Sequence, residues 1–210
     1  MKLSLVMLMA CLAFPTFAET LQVEYSRFYS HVRKLNSEDT NALQFAFGFV
    51  RVGENRLCDI TDAKIVTPKQ VMPLVVTEEN RFTVQTEKAL KLADAVVEIA
   101  LVEPANVCDM SVQLETKPEF LKQTYTSEEL TFLLDQYTAF FNEMGSFLSF
   151  MMPSVQGLTI QFDDPSLDHI VKEGAHIQNG MLRLDKQWLS QSKGLTLPEK
   201  PLRITAIASK

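Results

Sequence analysis

The sequence predicts a single domain of the α+β class, in which a mixed or mostly antiparallel sheet packs against one long amphipathic helix. Residues 126–152 carry a long helical pattern, and the strand-like segments are grouped rather than alternating strictly with helices. Removing an export signal over residues 1–18 leaves residues 19–210, enough for one domain with a substantial core. No Gly-, Ser- or Pro-rich linker divides that remainder, so we predict one domain.

The helix predicted over residues 126–152 has apolar residues at alternating steps of three and four, which is the period of one helical face. Thr126 and Glu129 have the spacing of a capping box, in which each side chain accepts from the other residue's backbone N–H. Pro153 cannot continue the helix and predicts its end. The pattern therefore predicts a helix with defined start and stop signals.

The apolar face of this helix has two interpretations. Core packing predicts that Phe140, Met144 and Phe147 are buried against the sheet, with Asp135, Asn142 and Glu143 at the edge or in water. Alternatively, Phe140, Met144 and Phe147 line a groove for an apolar ligand, because Met adapts to irregular partners. A membrane span is excluded because the longest run without a charge or amide is far shorter than the ~20 residues that a bilayer requires.

The remaining segments are predicted from periodicity, capping and turn signals. Helices are predicted over residues 21–35 and 86–93, after Asp164 and after Asp185. Strands are predicted over residues 43–50, 60–66, 73–77, 81–85, 96–102, 110–116, 158–162, 175–178, 181–184 and 202–208.

Three of these strand segments carry specific expectations. In residues 43–50, phenylalanines alternate with small or uncharged residues, which predicts a central strand. Residues 110–116 are expected to pair with residues 96–102, which they follow after a short loop. Asn179-Gly180 predicts a type I′ hairpin turn.

The N-terminus has the three parts of a secretory signal peptide. Lys2 supplies the positive charge, residues 3–12 are apolar, and Thr16-Phe17-Ala18 ends in the small residues that signal peptidase needs. We predict cleavage after Ala18 and a periplasmic protein without a transmembrane span. The mature chain keeps 19 of the 20 basic residues against 26 acidic ones, a net charge of −7. That charge and the lack of a basic stripe argue against nucleic acid as a partner.

The cysteines predict one disulfide. Of three, Cys11 leaves with the signal peptide, and Cys58 and Cys108 would enter an oxidising compartment. Each lies beside a predicted strand end, where neighbouring strands are close enough for a bond. The alternative is two separate free thiols, each a small buried hydrophobic residue. No Cys-x-x-Cys spacing indicates redox catalysis, so the predicted role is structural.

One polar cluster is a candidate site. If residues 165–173 are helical, His169 and Glu173 lie one turn apart and can share a divalent cation or act as an acid–base pair. The alternative interpretation is an N-cap aspartate followed by a surface His–Glu pair. The cluster consists of Asp163, Asp164, Asp168, His169, Glu173 and His176.

The chain lacks a Gly-x-Ser-x-Gly elbow, a phosphate loop and a His-Glu-x-x-His motif. The leading hypothesis is therefore a non-catalytic periplasmic protein that binds another protein or an envelope component. We assign no catalytic residue, metal or cofactor. One alternative is a hydrolase or metal-dependent enzyme centred on Asp164, Asp168, His169 and Glu173. A second alternative is a carrier of an apolar ligand beneath the Phe/Met-rich helix.

Several stretches carry a family resemblance: EYSRFYS, the two later cysteines, VQLETKP, and MMPSVQGLTIQF followed by IQNGMLRL. Together they resemble a family of secreted gammaproteobacterial proteins known only as a domain of unknown function. The resemblance extends over nearly the whole mature chain, but none of these stretches is a mechanistic motif. It implies an exported protein and supplies no catalytic residue.

Overall fold

The computed structural model describes residues 19–54, 56–144, 154–171 and 174–209. Within those residues the protein is α+β with antiparallel sheets, which is the predicted class. The α-helices are α1 (Tyr25–Val32), α2 (Lys88–Leu92), α3 (Ser127–Met144) and α4 (Lys186–Gln191). Short 3-10 turns lie at Glu38–Thr40, Ala105–Val107 and Pro118–Phe120. Among the described helices, none has the length and apolar character needed to cross a membrane.

The described strands form three larger sheets, with orders β1-β6-β3-β4, β5-β2-β7 and β12-β9-β14, and two small pairs, β10-β11 and β13-β8. Their bounds are β1 Glu19–Glu24, β2 Leu43–Arg51, β3 Ile60–Val66, β4 Val71–Pro73, β5 Phe82–Thr83, β6 Val96–Leu101, β7 Cys108–Thr116, β8 Thr124–Tyr125, β9 Val155–Gln161, β10 His169–Ile170, β11 His176–Ile177, β12 Met181–Asp185, β13 Leu195–Thr196 and β14 Arg203–Ala208.

Strand β2 is central in its sheet, as predicted, and its two faces differ. Phe45, Phe47 and Phe49 are buried in the core, where the ring of Phe47 meets that of Phe28 from α1 edge-on at 4.9 Å. The opposite face is small: a Cβ added at Gly48 would lie only 2.9 Å from the carbonyl oxygen of Asn80. A glycine there lets the turn before β5 lie directly on the strand.

The helix predicted over residues 21–35 is wrong in its first turn. Residues up to Glu24 form β1, and α1 begins only at Tyr25. Leu21 and Val23 lie opposite Ile99 and Val97 of β6. This pairing gives hydrogen-bond partners to backbone groups that have none in the first turn of an isolated helix. The tertiary contact therefore overrides the helical spacing of the apolar residues.

The predicted pairing of residues 96–102 with 110–116 is also wrong. Strand β6 pairs with β1 and β3, whereas β7 pairs with β2 over its whole length. The loop between β6 and β7 therefore carries the chain from one sheet to another. The hairpin predicted from residues 73–77 and 81–85 is reduced to one bridge between Val76 and Phe82, because β4 pairs with β3 instead.

Helix α3 starts with the predicted capping box. The backbone N–H of Thr126 donates to Glu129 Oε2 at 2.9 Å, and the N–H of Glu129 donates to Thr126 Oγ1 at 3.2 Å. Asp135 and Glu143 are exposed, as expected. Residues 145–152 of the predicted helix, including Phe147, lie outside the described residues. The buried side chains of α3 are Leu130, Leu133, Gln136, Tyr137 and Phe140.

Met144 was expected to be buried with Phe140, and this expectation is wrong. Met144 is the last residue of α3 and is 40% exposed, whereas Phe140 is 8% exposed. The buried side chains of the helix lie between Leu130 and Phe140, and Met144 lies one turn beyond Phe140. Phe140 packs edge-on against Phe45 of β2, with ring centres 5.7 Å apart.

Cys58 and Cys108 are joined in the structure, as the sequence predicts. Their Sγ atoms lie 2.08 Å apart and their Cα atoms 6.3 Å apart. Cys58 lies just before β3, and its N–H donates to the carbonyl of Phe49 in β2 at 2.7 Å. Cys108 is the first residue of β7. The bond therefore ties the entrance of β3 to the neighbouring sheet.

Candidate functional site

The described residues after Asp164, 165–171, do not form the predicted helix, so His169 does not lie on a helical face. The Asp164 side chain accepts from the N–H of Ser166 at 2.8 Å and from its hydroxyl at 2.7 Å, which makes a local turn rather than a helix cap. His169 instead lies in β10, opposite Ile177 of β11. Glu173 lies outside the described residues.

The structure does bring together two members of the predicted cluster, Asp168 and His176. His176 Nε2 lies 2.8 Å from Asp168 Oδ1, and the Gln178 amide nitrogen lies 3.0 Å from His176 Nδ1. When the Gln178 amide donates to Nδ1, Nε2 carries the proton and donates to Asp168. Both ring nitrogens are then used. Asp168 is largely exposed, so this is a surface pair of small energetic value.

The described residues contain one close group of metal-ligand side chains: Cys58, Glu103 and Cys108, whose ligand atoms all lie within 4.8 Å of one another. The two sulfurs are joined to each other. Glu103 accepts from the N–H of Asp59 at 2.8 Å and from Arg56 at 2.7 Å. The possible ligand atoms of all three residues are therefore already bonded to protein groups. The group is a structural junction around the disulfide.

A cleft of about 260 Å³ lies on the small-residue face of β2. Its walls come from β2, β5, β7, the turn of residues 77–80 and the start of β14. Its apolar surface includes Ala46, Phe82, Pro118, Leu121 and Leu202. We call this the charged cleft, because its lining also contains Glu78, Glu79, Arg81, Glu115, Asp163 and Arg203.

Strand register places the charged groups on one face. Gln44 lies opposite Glu115 in the β2–β7 pair, and Ala46 lies opposite Thr83 in the β2–β5 pair. Directly opposed residues share a face of a sheet, and so do residues two apart along one strand. Arg81 therefore lies on the same face as Thr83. Gln44 Nε2 donates to Glu115 Oε1 at 2.9 Å.

Arg203 is buried at the side of the cleft and is paired. It is 6% exposed, donates to Gln113 Oε1 at 2.9 Å and forms an ion pair with Glu79. Gln113 belongs to β7 and Glu79 to the turn before β5. Arg203 therefore fastens β14 to both walls, and its charge is already compensated by Glu79.

Arg81, by contrast, has no partner among the described residues. Its guanidinium makes no hydrogen bond or ion pair there, and its Nη1 atom is buried without an acceptor. Burial lowers the pKa of Arg81, although the charge of Glu115 opposes that effect. A half-buried cation without an acceptor is costly and marks a place where a ligand can supply one.

Glu115 is the opposite charge in the same cleft. Burial raises its pKa, partly offset by the hydrogen bond from Gln44 and by the charge of Arg81. Arg81 and Glu115 therefore sense each other's charge, yet no nitrogen and oxygen of the two lie within the 4.0 Å of an ion pair. Arg81 and Glu115 are thus a half-buried cation and a half-buried anion of one cleft, and neither forms an ion pair with a described residue.

Sequence reasoning identified one residue of this cleft, Asp163, and missed Arg81, Glu115 and Arg203. Two signals were present in the chain. The face of β2 opposite its phenylalanines is small and uncharged, which leaves room over the strand. Arg203 is the one charged residue of the strand predicted over residues 202–208, where a charge needs a specific partner.

Comparison with curated proteins and with solved structures found no match. The family described as "Protein of unknown function (DUF2987)" matches residues 17–162, well over half of the 210-residue chain. The matched part includes Arg81 and Glu115 and ends before Arg203. The resemblance to a domain of unknown function is therefore confirmed, while secretion stays a prediction. The chain belongs to this family of proteins of unknown function.

Proposed function

We propose that this protein is a non-catalytic binding protein that holds a small molecule in the charged cleft by a carboxylate group. Arg81 is the group that receives the carboxylate. The observation that carries the proposal is the half-buried Arg81 guanidinium, which has no partner among the described residues. The proposed setting is the periplasm, with residues 1–18 removed and residues 19–210 forming one domain; the Cys58–Cys108 pair supports an oxidising compartment.

The chemistry of a guanidinium favours a carboxylate as its partner. Its planar array of N–H donors matches the two oxygens of a carboxylate in a pair of parallel hydrogen bonds. Glu78, Glu115 and Asp163 also line the cleft, and Arg203 already neutralises Glu79. Additional negative charge is unfavourable near these acids, so a singly charged carboxylate fits better than a doubly charged phosphate.

The size of the cleft limits the ligand. A volume of about 260 Å³ lies just below the ~300–1,000 Å³ of typical small-molecule sites. This volume favours a molecule of about the size of an amino acid. No His, Cys or Ser is among the described residues of the lining, so these residues do not supply a Ser–His or Cys–His nucleophile pair.

Calorimetric titration of carboxylic acids of two to nine carbons, with and without an amino group, tests this function. We expect at least one to bind, and Arg81→Gln to weaken that binding about tenfold or more, because a charge-assisted hydrogen bond is worth ~1.5–3 kcal/mol. The matched control is Arg183→Gln, since Arg183 is exposed on β12 away from the cleft. Absence of binding at millimolar concentrations, or equal binding by the Arg81→Gln protein, would refute the proposal.

A further inference from the structure

We infer that the ligand of the charged cleft is a zwitterion of amino-acid size, whose carboxylate binds Arg81 and whose ammonium group binds Glu115. This inference rests on the proposed function and names the chemical class of its ligand. It concerns Glu115, whose negative charge has no partner when a carboxylate alone binds Arg81.

Neither the cation nor the anion of this proposed site is neutralised within the described residues. Arg81 and Glu115 line one cleft without forming an ion pair, and among the described residues neither has another ion-pair partner. Glu115 receives a hydrogen bond from the neutral amide of Gln44 on Oε1, and no described residue donates to its Oε2. A ligand ammonium group, with three donors, can occupy that oxygen while the ligand carboxylate accepts from Arg81.

The cleft also carries exposed negative charge. Glu78 and Asp163 are both exposed there, and no ion pair to a described residue neutralises either. Together with Glu115 they give the cleft more negative than positive charge. A simple carboxylate is repelled by this excess, whereas a molecule that also carries an ammonium group is not.

The cleft that contains these charges also has an apolar surface. Leu121 and Leu202 are half-buried, and Pro118 lies beside them in the wall. Such a surface accommodates an aliphatic or aromatic side chain, because burial of apolar area stabilises it. An α-amino acid combines the three features, namely a carboxylate, an ammonium group and a side chain, within the available volume.

The test compares molecules that differ by one charged group. Three sets span small to large side chains: glycine, acetate and methylamine; L-leucine, 4-methylpentanoate and 3-methylbutylamine; L-phenylalanine, 3-phenylpropanoate and 2-phenylethylamine. Each compound is titrated into the full mature protein at pH 7 in a calorimeter. We expect at least one amino acid to bind about tenfold or more tightly than both of its analogues.

Two variants separate the roles of the charges. Glu115→Gln keeps an acceptor for Gln44 but removes the negative charge. It should weaken amino-acid binding about tenfold, whereas binding of the matched acid should be unchanged or stronger. Arg81→Gln should weaken binding of both. Circular dichroism and thermal melting of each variant verify that it is folded, and Arg183→Gln should behave like the wild type.

Other results have distinct meanings. If a plain acid binds as tightly as its amino acid in every set and Arg81→Gln weakens it, the zwitterion inference fails and the proposed function stands. If Glu115→Gln leaves amino-acid binding unchanged, the assigned role of Glu115 is wrong. If none of the nine compounds binds at millimolar concentrations, the zwitterion inference fails, and the wider series of carboxylic acids decides the proposed function.

Discussion

Asn80 and Asp59 hold the turn that carries Arg81 against the segment beside the disulfide. Asn80 Nδ2 donates to Asp59 Oδ1 at 2.9 Å, and Asn80 Oδ1 accepts from the N–H of Ile60 at 2.9 Å. The backbone of Asn80 is left-handed, with φ of 57°, a conformation that Asn tolerates better than most residues. The position of Arg81 in the cleft thus depends on one asparagine that contacts residues next to Cys58.

Replacing Asn80 tests this support. Asn80→Gly keeps access to the left-handed backbone but leaves the Ile60 N–H without its acceptor, so we expect a loss of about 1–3 kcal/mol in the free energy of unfolding. Asn80→Ala should lose about 1 kcal/mol more, because Ala also carries the left-handed backbone strain. Urea denaturation measures both. Losses within about 0.5 kcal/mol, the usual surface range, would show that the contacts contribute little.

The Cys58–Cys108 bond should stabilise the fold chiefly by restricting the unfolded chain. For a sequence separation of 50 residues, the chain-entropy relation gives about 4 kcal/mol. We expect the double variant Cys58→Ala and Cys108→Ala to lose a stabilisation of that order in urea denaturation.

The bond itself is verified by intact mass after alkylation of the denatured, exported protein. No alkyl group should be added before reduction and two should be added after it. Two groups added without reductant would show free thiols in place of the bond.

Phe140 should be a major contributor to core stability. It is buried and packs on Phe45, and truncation of a buried Phe to Ala costs about 3–5 kcal/mol. Phe132→Ala is the matched control on the same helix, since Phe132 is 38% exposed and should lose about 1 kcal/mol. Chemical denaturation compares the two variants, and equal losses would mean that the buried face of α3 is assigned wrongly.

Glu115→Gln should change the pH dependence of stability. Burial raises the folded-state pKa of Glu115, so folding disfavours its ionised form. Below the unfolded-state pKa of about 4.3, the carboxyl is protonated in both the folded and the unfolded protein, and no charge has to be buried. Wild-type stability then falls as the pH rises through the folded-state pKa. The Gln variant has no such loss, so it should be more stable than the wild type at pH 7 and nearly equal near pH 3.5.

Denaturation at the two pH values measures this difference, with Glu143→Gln, an exposed change on α3, as the control. A Glu115→Gln variant that is less stable than the wild type at pH 7 would show that ionised Glu115 is stabilised by Arg81 in the folded protein.

The sequence by itself determined features that depend on a few neighbouring residues. The capping box of Thr126 and Glu129 requires only that two side chains lie three residues apart, and it forms as predicted. Asn179 and Gly180 both adopt positive φ in the predicted turn, because those residue types tolerate that backbone. Strand β3 has the predicted bounds, since alternation along one strand is a local property.

Tertiary structure decided which segments meet. Residues 110–116 became part of β7, paired with β2 and not with the strand that precedes them, and the first predicted helical turn became β1. The charged cleft depends on the same choice, because Gln44 and Glu115 are 71 residues apart and meet only through that register. Such pairings are selected by the total surface that the sheets bury together, a quantity that no local pattern contains.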